Sequence, residues 1–174
     1  MDGILTQKPF PEEYSGHYSH YVELVPEGSI LDIFERQSAL THEFFAAIPE
    51  SMGDHTYGFG KWTIKDIVEH LIDTERIFST RALRLSRGDK QPLPGFEQDD
   101  YIKNAMTFKR TLKDLVEERQ LLRLANIKMF RSFEELCFME KGTVNDNPIS
   151  VRAILYLLIG HEIHHIKFIK ENYL

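Results

Sequence analysis

The stretch VRAILYLLIGHEIHHIKFIKENYL at positions 151–174 constrains the fold more than any other segment. Its apolar residues Ile154, Leu157, Leu158, Phe168 and Ile169 recur at helical spacing, which predicts a long helix over about 151–171 with a stripe that must be buried. Two members of that stripe are not apolar, namely His161 and His165. They stand at i and i+4, about 40° apart on a 3.6-residue wheel, so both imidazoles leave one face a single turn apart. A neutral imidazole in a helical core needs partners for two nitrogens, and helix backbones have few free groups to give. A metal ion satisfies one nitrogen of each ring at once. His164 is turned by about 100° from His165 and belongs on a flank.

Three further helices are expected. The first covers about 30–48, opened by Ser29 with Asp32 as a capping box, carrying Ile30, Phe34, Leu40, Thr41, Phe44, Phe45 and Ile48, and stopped by Pro49. The second covers about 64–87. There Trp62, Thr63, Asp66 and Ile67 combine a hydrophobic staple with a capping box, and Gly88 supplies a C′ residue able to take positive φ. The third covers about 109–131, with Leu112, Leu115, Val116, Leu122, Ile127 and Phe130 on one side and mixed charge on the other. Residues 1–28 read as an irregular arm rich in Pro, Gly, Tyr and His. Pro92, Pro94 and Gly95 make a crossover loop, followed by one or two helical turns in DDYIKNAM. The segment 132–149 holds the turn formers Gly142, Asn145, Asp146, Asn147 and Pro148, and no strand pattern stands out. Four long helices joined by loops imply an all-α four-helix bundle, with residues 1–174 as one domain.

Composition narrows the function classes. A net charge of -6 with dispersed basic residues gives no footprint for nucleic acid. No apolar run approaches the ~18 residues of a membrane span. The single cysteine, Cys137, cannot pair within the chain, and no basic start precedes an apolar h-region, so a cytoplasmic location is expected.

Helix two supplies a third nitrogen, because His70 follows Ile67 by three residues and precedes Ile77 by seven, on the inward side. Three histidines from two facing helices are borderline ligands suited to zinc, nickel, copper or iron(II), and no thiolate closes the shell. Open positions remain for water or substrate. HEIHH also matches the H-E-x-x-H signature of zinc peptidases, with Glu162 as base. The longer metzincin pattern fails, since Phe168 stands where glycine is needed and Glu171 where histidine is needed. Glu162 is therefore expected to point off the ligand face.

The segments KWTIKDIVEHLIDTER, RALRLSRGDKQPLPGFEQDDY and NPISVRAILYLLIGHEIHHIKFI together resemble the DinB/YfiT-like superfamily of metal-binding four-helix bundles. The resemblance implies an up-down-down-up bundle with long crossover loops, and metal ligation by His70, His161 and His165. It also implies one divalent ion, zinc or nickel, and a homodimer. Members of that family with an assigned activity resemble thiol-dependent S-transferases or metal-dependent isomerases and hydrolases. The expectation is thus a thiol S-transferase that uses a low-molecular-weight thiol against small electrophiles in detoxification. A metal-dependent hydrolase is the alternative, and a metal-stabilised bundle without catalysis is the reading from another class. The reactive group would be a thiolate or a water activated at the metal, not a protein side chain.

Overall fold

The computed structural model describes residues 3–174, so the first two residues of the expected arm lie outside the described part. The helices are α1 (Ser19–Leu24), α2 (Ile30–Ala46), α3 (Ile64–Ser86), α4 (Gln98–Ala105), α5 (Leu112–Arg131) and α6 (Val151–Asn172); a hairpin, β1 (Lys141–Val144) and β2 (Asn147–Ser150), precedes α6. Among the described residues no helix is long and apolar enough to cross a membrane.

Each long helix starts where local chemistry allows it. Thr63 accepts from the Asp66 amide at 3.1 Å while Asp66 accepts from the Thr63 amide at 2.9 Å, the reciprocal cap expected for α3. Thr111 accepts from the Asp114 amide, and Ser150 accepts from that of Ala153. At α2 the expected box does not form: Ser29 is the N-cap but its side chain makes no cap bond, and Asp32 instead meets Arg131. Gly88 follows α3 with φ +79°, the left-handed position that favours glycine.

Side-chain pairs give the helix directions. Along α3 and α5 the numbers rise together, from Glu69 with Arg110 to Glu75 with Arg123, so these two run parallel. Phe34 against Phe130 and Ser38 against Gln120 set α2 antiparallel to α5. Trp62 with Tyr173 and His70 with His161 set α3 antiparallel to α6. Gln37 with Glu162 and Phe44 with Lys170 make α2 and α6 parallel. The result is the up-down-down-up bundle, with α2 packed on α5 and α6, and α3 packed on the same two.

The core has two apolar halves. One gathers Phe34, Phe78, Phe130, Ile154 and Leu157; the other gathers Phe45, Ile64, Leu71, Leu115 and Ile169. Between them lies a polar layer drawn from all four long helices. Glu162 accepts from Gln37 at 2.7 Å, from Thr41 at 2.8 Å, and from the guanidiniums of Arg119 and Arg123. Arg123 also pairs with Glu75, which accepts from Asn126 as well. Burial alone would raise the Glu162 carboxyl, but Arg119 and Arg123 outweigh it and push it down to about 2.

Several expectations need correction. Arg119 and Arg123 are fully buried rather than on a solvated charged side, because the spacing Leu115, Arg119, Arg123, Ile127 keeps them on the core face. Leu40 is exposed, and the α2 stripe runs instead through Ile33, Phe34, Gln37, Ser38 and Thr41. The arm is not irregular throughout. Its residues 19–24 form α1, which is too short to stand alone and is held against α6. The approach is close, since a Cβ at Gly160 would stand 2.0 Å from the Tyr21 carbonyl oxygen. The segment before α6 holds a hairpin whose turn residues Asn145 and Asp146 both have positive φ, as a type I′ turn requires.

Gly160→Ala is expected to push α1 off α6 and to cost about 1–3 kcal/mol as overpacking, read by thermal melts and by faster proteolysis of the arm. Glu162→Gln leaves two buried guanidiniums short of a counter-charge and should cost about 3–5 kcal/mol in a denaturant titration. Because the folded Glu162 titrates below its ordinary value of 4.5, its contribution is complete above about 4.5 and is lost as pH falls toward 2. Acid unfolding of wild type should steepen in that window, and Glu162→Gln should lose the feature.

Candidate metal centre

The segment of α6 after Gly160 delivers two neighbouring side chains to different places. Turned by about 100° on the wheel, Glu162 enters the polar layer while His161 faces α3. His70 reaches the same point from α3, whose buried stripe through Ile67, Leu71 and Thr74 turns that face inward. His165 follows one turn after His161. The Nε2 atoms of His70 and His161 are 3.0 Å apart, as are those of His161 and His165, and one nitrogen from each ring lies within 4.8 Å of the other two.

These contacts are poorly served by hydrogen bonds alone. A neutral imidazole has one N–H and one acceptor nitrogen, so a single His161 Nε2 cannot both donate to and accept from two neighbours along its one lone-pair axis. The His165 Nδ1 is buried with no partner among the described residues. The same separations suit nitrogens that share one ion at about 2.1 Å. Burial pushes His70 down to about 4 and His165 down to about 3, the latter helped by the facing histidines, and holds His161 well below its ordinary value. All three are neutral at pH 7, with lone pairs free for a cation.

Aromatic rings fix the imidazoles. Trp62 lies 4.9 Å from His70 between ring centres, and the Tyr21 ring meets His161 edge-on at 5.3 Å. Two cavities open beside the cluster. One, of about 250 Å³, is lined by Tyr18, Tyr21, Thr74, Phe78 and Phe96 and exposes His70 and His161. The other, of about 320 Å³, is lined by Trp62, Lys61, Asp99, Phe168 and Tyr173 and exposes His165. Gln98, the first residue of α4, borders both.

The three histidines expected from the sequence are thus brought together, and His164 sits on the flank near His20 and Tyr21. Glu162 points off the cluster, as expected, and is tied into the polar layer rather than to any of the three rings. Among the described residues no carboxylate joins the group. Sequence reasoning missed Glu97 and Gln98 as cavity residues, since nothing in their local spacing points at α3 or α6. Trp62 was readable only as a staple. Thr74 carried a signal, because it stands at i+4 from His70 on the same face.

No curated protein sequence matches the chain significantly. Among solved structures, YfiT from Bacillus subtilis is similar, with a TM-score of 0.71 and 18% identity over 95% of this chain and 90% of that one. It is described as "a probable metal-dependent hydrolase with an unusual four-helix bundle topology". A protein from Streptococcus pneumoniae is similar at a TM-score of 0.62 and 12% identity, covering 91% of this chain and 99% of that one. At these identities both show a shared fold. The family model for the DinB superfamily matches residues 33–169, which takes in all four long helices from the first inward turn of α2 to Ile169 of α6, and the chain belongs to that superfamily.

Proposed function

We propose that His70, His161 and His165 hold one divalent transition-metal ion, zinc or nickel, and that the protein is a thiol-dependent S-transferase acting on small electrophiles. The observation that carries this reading is the meeting of three neutral imidazole nitrogens beside two cavities, with no carboxylate in the cluster. A bound ion would lower the pKa of a low-molecular-weight thiol, or of water, and so supply a nucleophile near neutral pH. The residues of the chain do the rest. Burial keeps the three rings uncharged, so they meet a cation without repulsion. Trp62 and Tyr21 hold His70 and His161 in place, and the two openings give two small molecules separate approaches. A thiol ionises near pH 8.5 and water only near 15.7, each as a rough free-solution value, so a cluster without a protein base suits the thiol better.

Glu97 favours a second reading. It lines the His70–His161 cavity and offers a carboxylate that could serve a water nucleophile. With the description of YfiT, that makes a metal-dependent hydrolase the alternative.

Two outcomes are expected. Trp62 is the sole tryptophan, and its ring packs on His70. Its fluorescence should therefore change on titration with Zn(II), Ni(II) or Co(II) and saturate at about one equivalent, a response that His161→Ala weakens severely. Unchanged stoichiometric saturation after replacing all three histidines with alanine would show the site to be misplaced. For the reaction, metal-loaded protein should consume chlorodinitrobenzene only when a thiol is added. Thiol-independent hydrolysis of nitrophenyl acetate that disappears in His161→Ala would instead favour the hydrolase.

A further inference from the structure

Thr74 lies one helical turn beyond His70 on the same face of α3, 4% exposed, and lines the cavity onto which His70 and His161 open. Its hydroxyl has no hydrogen-bond partner among the described residues. In particular it does not bond back to the preceding turn of its own helix, the common resort of a helical threonine. A buried hydroxyl without a partner is costly and uncommon. The hydroxyl has almost no exposed surface where it stands, so the side chain must turn about χ1 to present it to the cavity, and the cost is removed when a molecule there accepts a hydrogen bond from it.

The cavity walls say what such a molecule is like. Tyr18, Tyr21, Phe78 and Phe96 contribute aromatic rings to the lining, and Leu157 adds an aliphatic side chain. A volume of about 250 Å³ is below the usual range for drug-sized ligands. Glu97 is the one carboxylate on the lining and no lysine or arginine lies there, so the side chains of the wall offer an anion no partner. We infer that this cavity takes a small, flat, uncharged molecule bearing a hydrogen-bond acceptor, and that the Thr74 hydroxyl donates to that acceptor and orients the molecule beside the histidines. The inference rests on the reading of the triad as a reactive centre, and it makes this side the seat of the electrophile, leaving the His165 side to the thiol.

Benzamide and toluene serve as paired probes, flat and uncharged, the first with a carbonyl acceptor and the second without. Their binding is measured calorimetrically on wild type, Thr74→Val, Thr74→Ser and Ser79→Ala, each with and without Zn(II). Ser79 is a control, since its hydroxyl is also buried and unpartnered but lies away from the cavity. The expected result is about tenfold weaker benzamide binding in Thr74→Val, the worth of one neutral hydrogen bond. Toluene binding should be unchanged, and Thr74→Ser and Ser79→Ala should match wild type. Thermal melts of Thr74→Val should be no lower than wild type, because the lost hydroxyl bonds to nothing in the free protein. Equal benzamide affinity in wild type and Thr74→Val overturns the inference, as does absence of benzamide binding to wild type. A lower melt with loss of both probes overturns it too, by assigning Thr74 a structural role. A Thr74 effect in protein whose Trp62 does not respond to metal would leave the cavity assignment standing and remove the metal reading; a metal response with no Thr74 effect would do the reverse.

Discussion

The Glu162 carboxylate accepts hydrogen bonds from Gln37 and Thr41 on α2 and from Arg119 and Arg123 on α5, and through Arg123 it is linked to Glu75 on α3. A charge taken this far from water is costly unless it is paired and hydrogen-bonded. The α2, α3 and α5 partners must therefore stand at one height along the bundle, level with Glu162 of α6. An apolar layer would permit the helices to slide by a residue or a turn at modest cost; a carboxylate between two guanidiniums does not. That matters in an up-down-down-up bundle, where both parallel and antiparallel neighbours must align at once. The polar layer fixes the axial alignment, and the apolar halves on either side supply most of the burial.

The histidine cluster depends on that alignment. His161 is the residue before Glu162, so the bonds that anchor one also set the rotation and height of α6 for the other. His70 stands on α3 five residues before Glu75, which is part of the same layer. The cluster thus inherits its geometry from a network that does not touch it. Its surroundings come from elements outside the four long helices: α1 brings Tyr21, and the start of α4 brings Gln98. Gly160 lets α1 come close enough for this. A scaffold fixed by one set of contacts and a cavity-bearing face shaped by another allows the cavities to differ between relatives while the bundle stays the same.

Much of this was legible in the sequence where the signal was local. The α3 capping box, the glycine after it and the His161–His165 pair follow from spacing within a single turn or two, and all are found where the spacing puts them. What was not legible depends on distant partners. Arg119 and Arg123 occupy core positions of α5, yet an arginine is read as solvated unless its counter-charge is known, and here that comes from α3 and α6. On α2, Leu40 looked like a core residue and Gln37 did not; the need of Glu162 for a donor reverses the two. The helix in the arm and the hairpin before α6 are short elements stabilised by what they pack on, so their own residues carry little periodicity.

The histidine cluster, which we propose holds a metal ion, is mounted on a bundle that holds itself together. Far-UV circular dichroism melts of metal-loaded and chelator-treated wild type test it most directly. A self-sufficient scaffold should keep its helical signal and a cooperative melt after chelation, with the midpoint lowered only by the mass-action contribution of the ion. Collapse of the helical signal on chelation would contradict this, because it would mean that metal binding supplies the folding energy, as in a structural zinc domain.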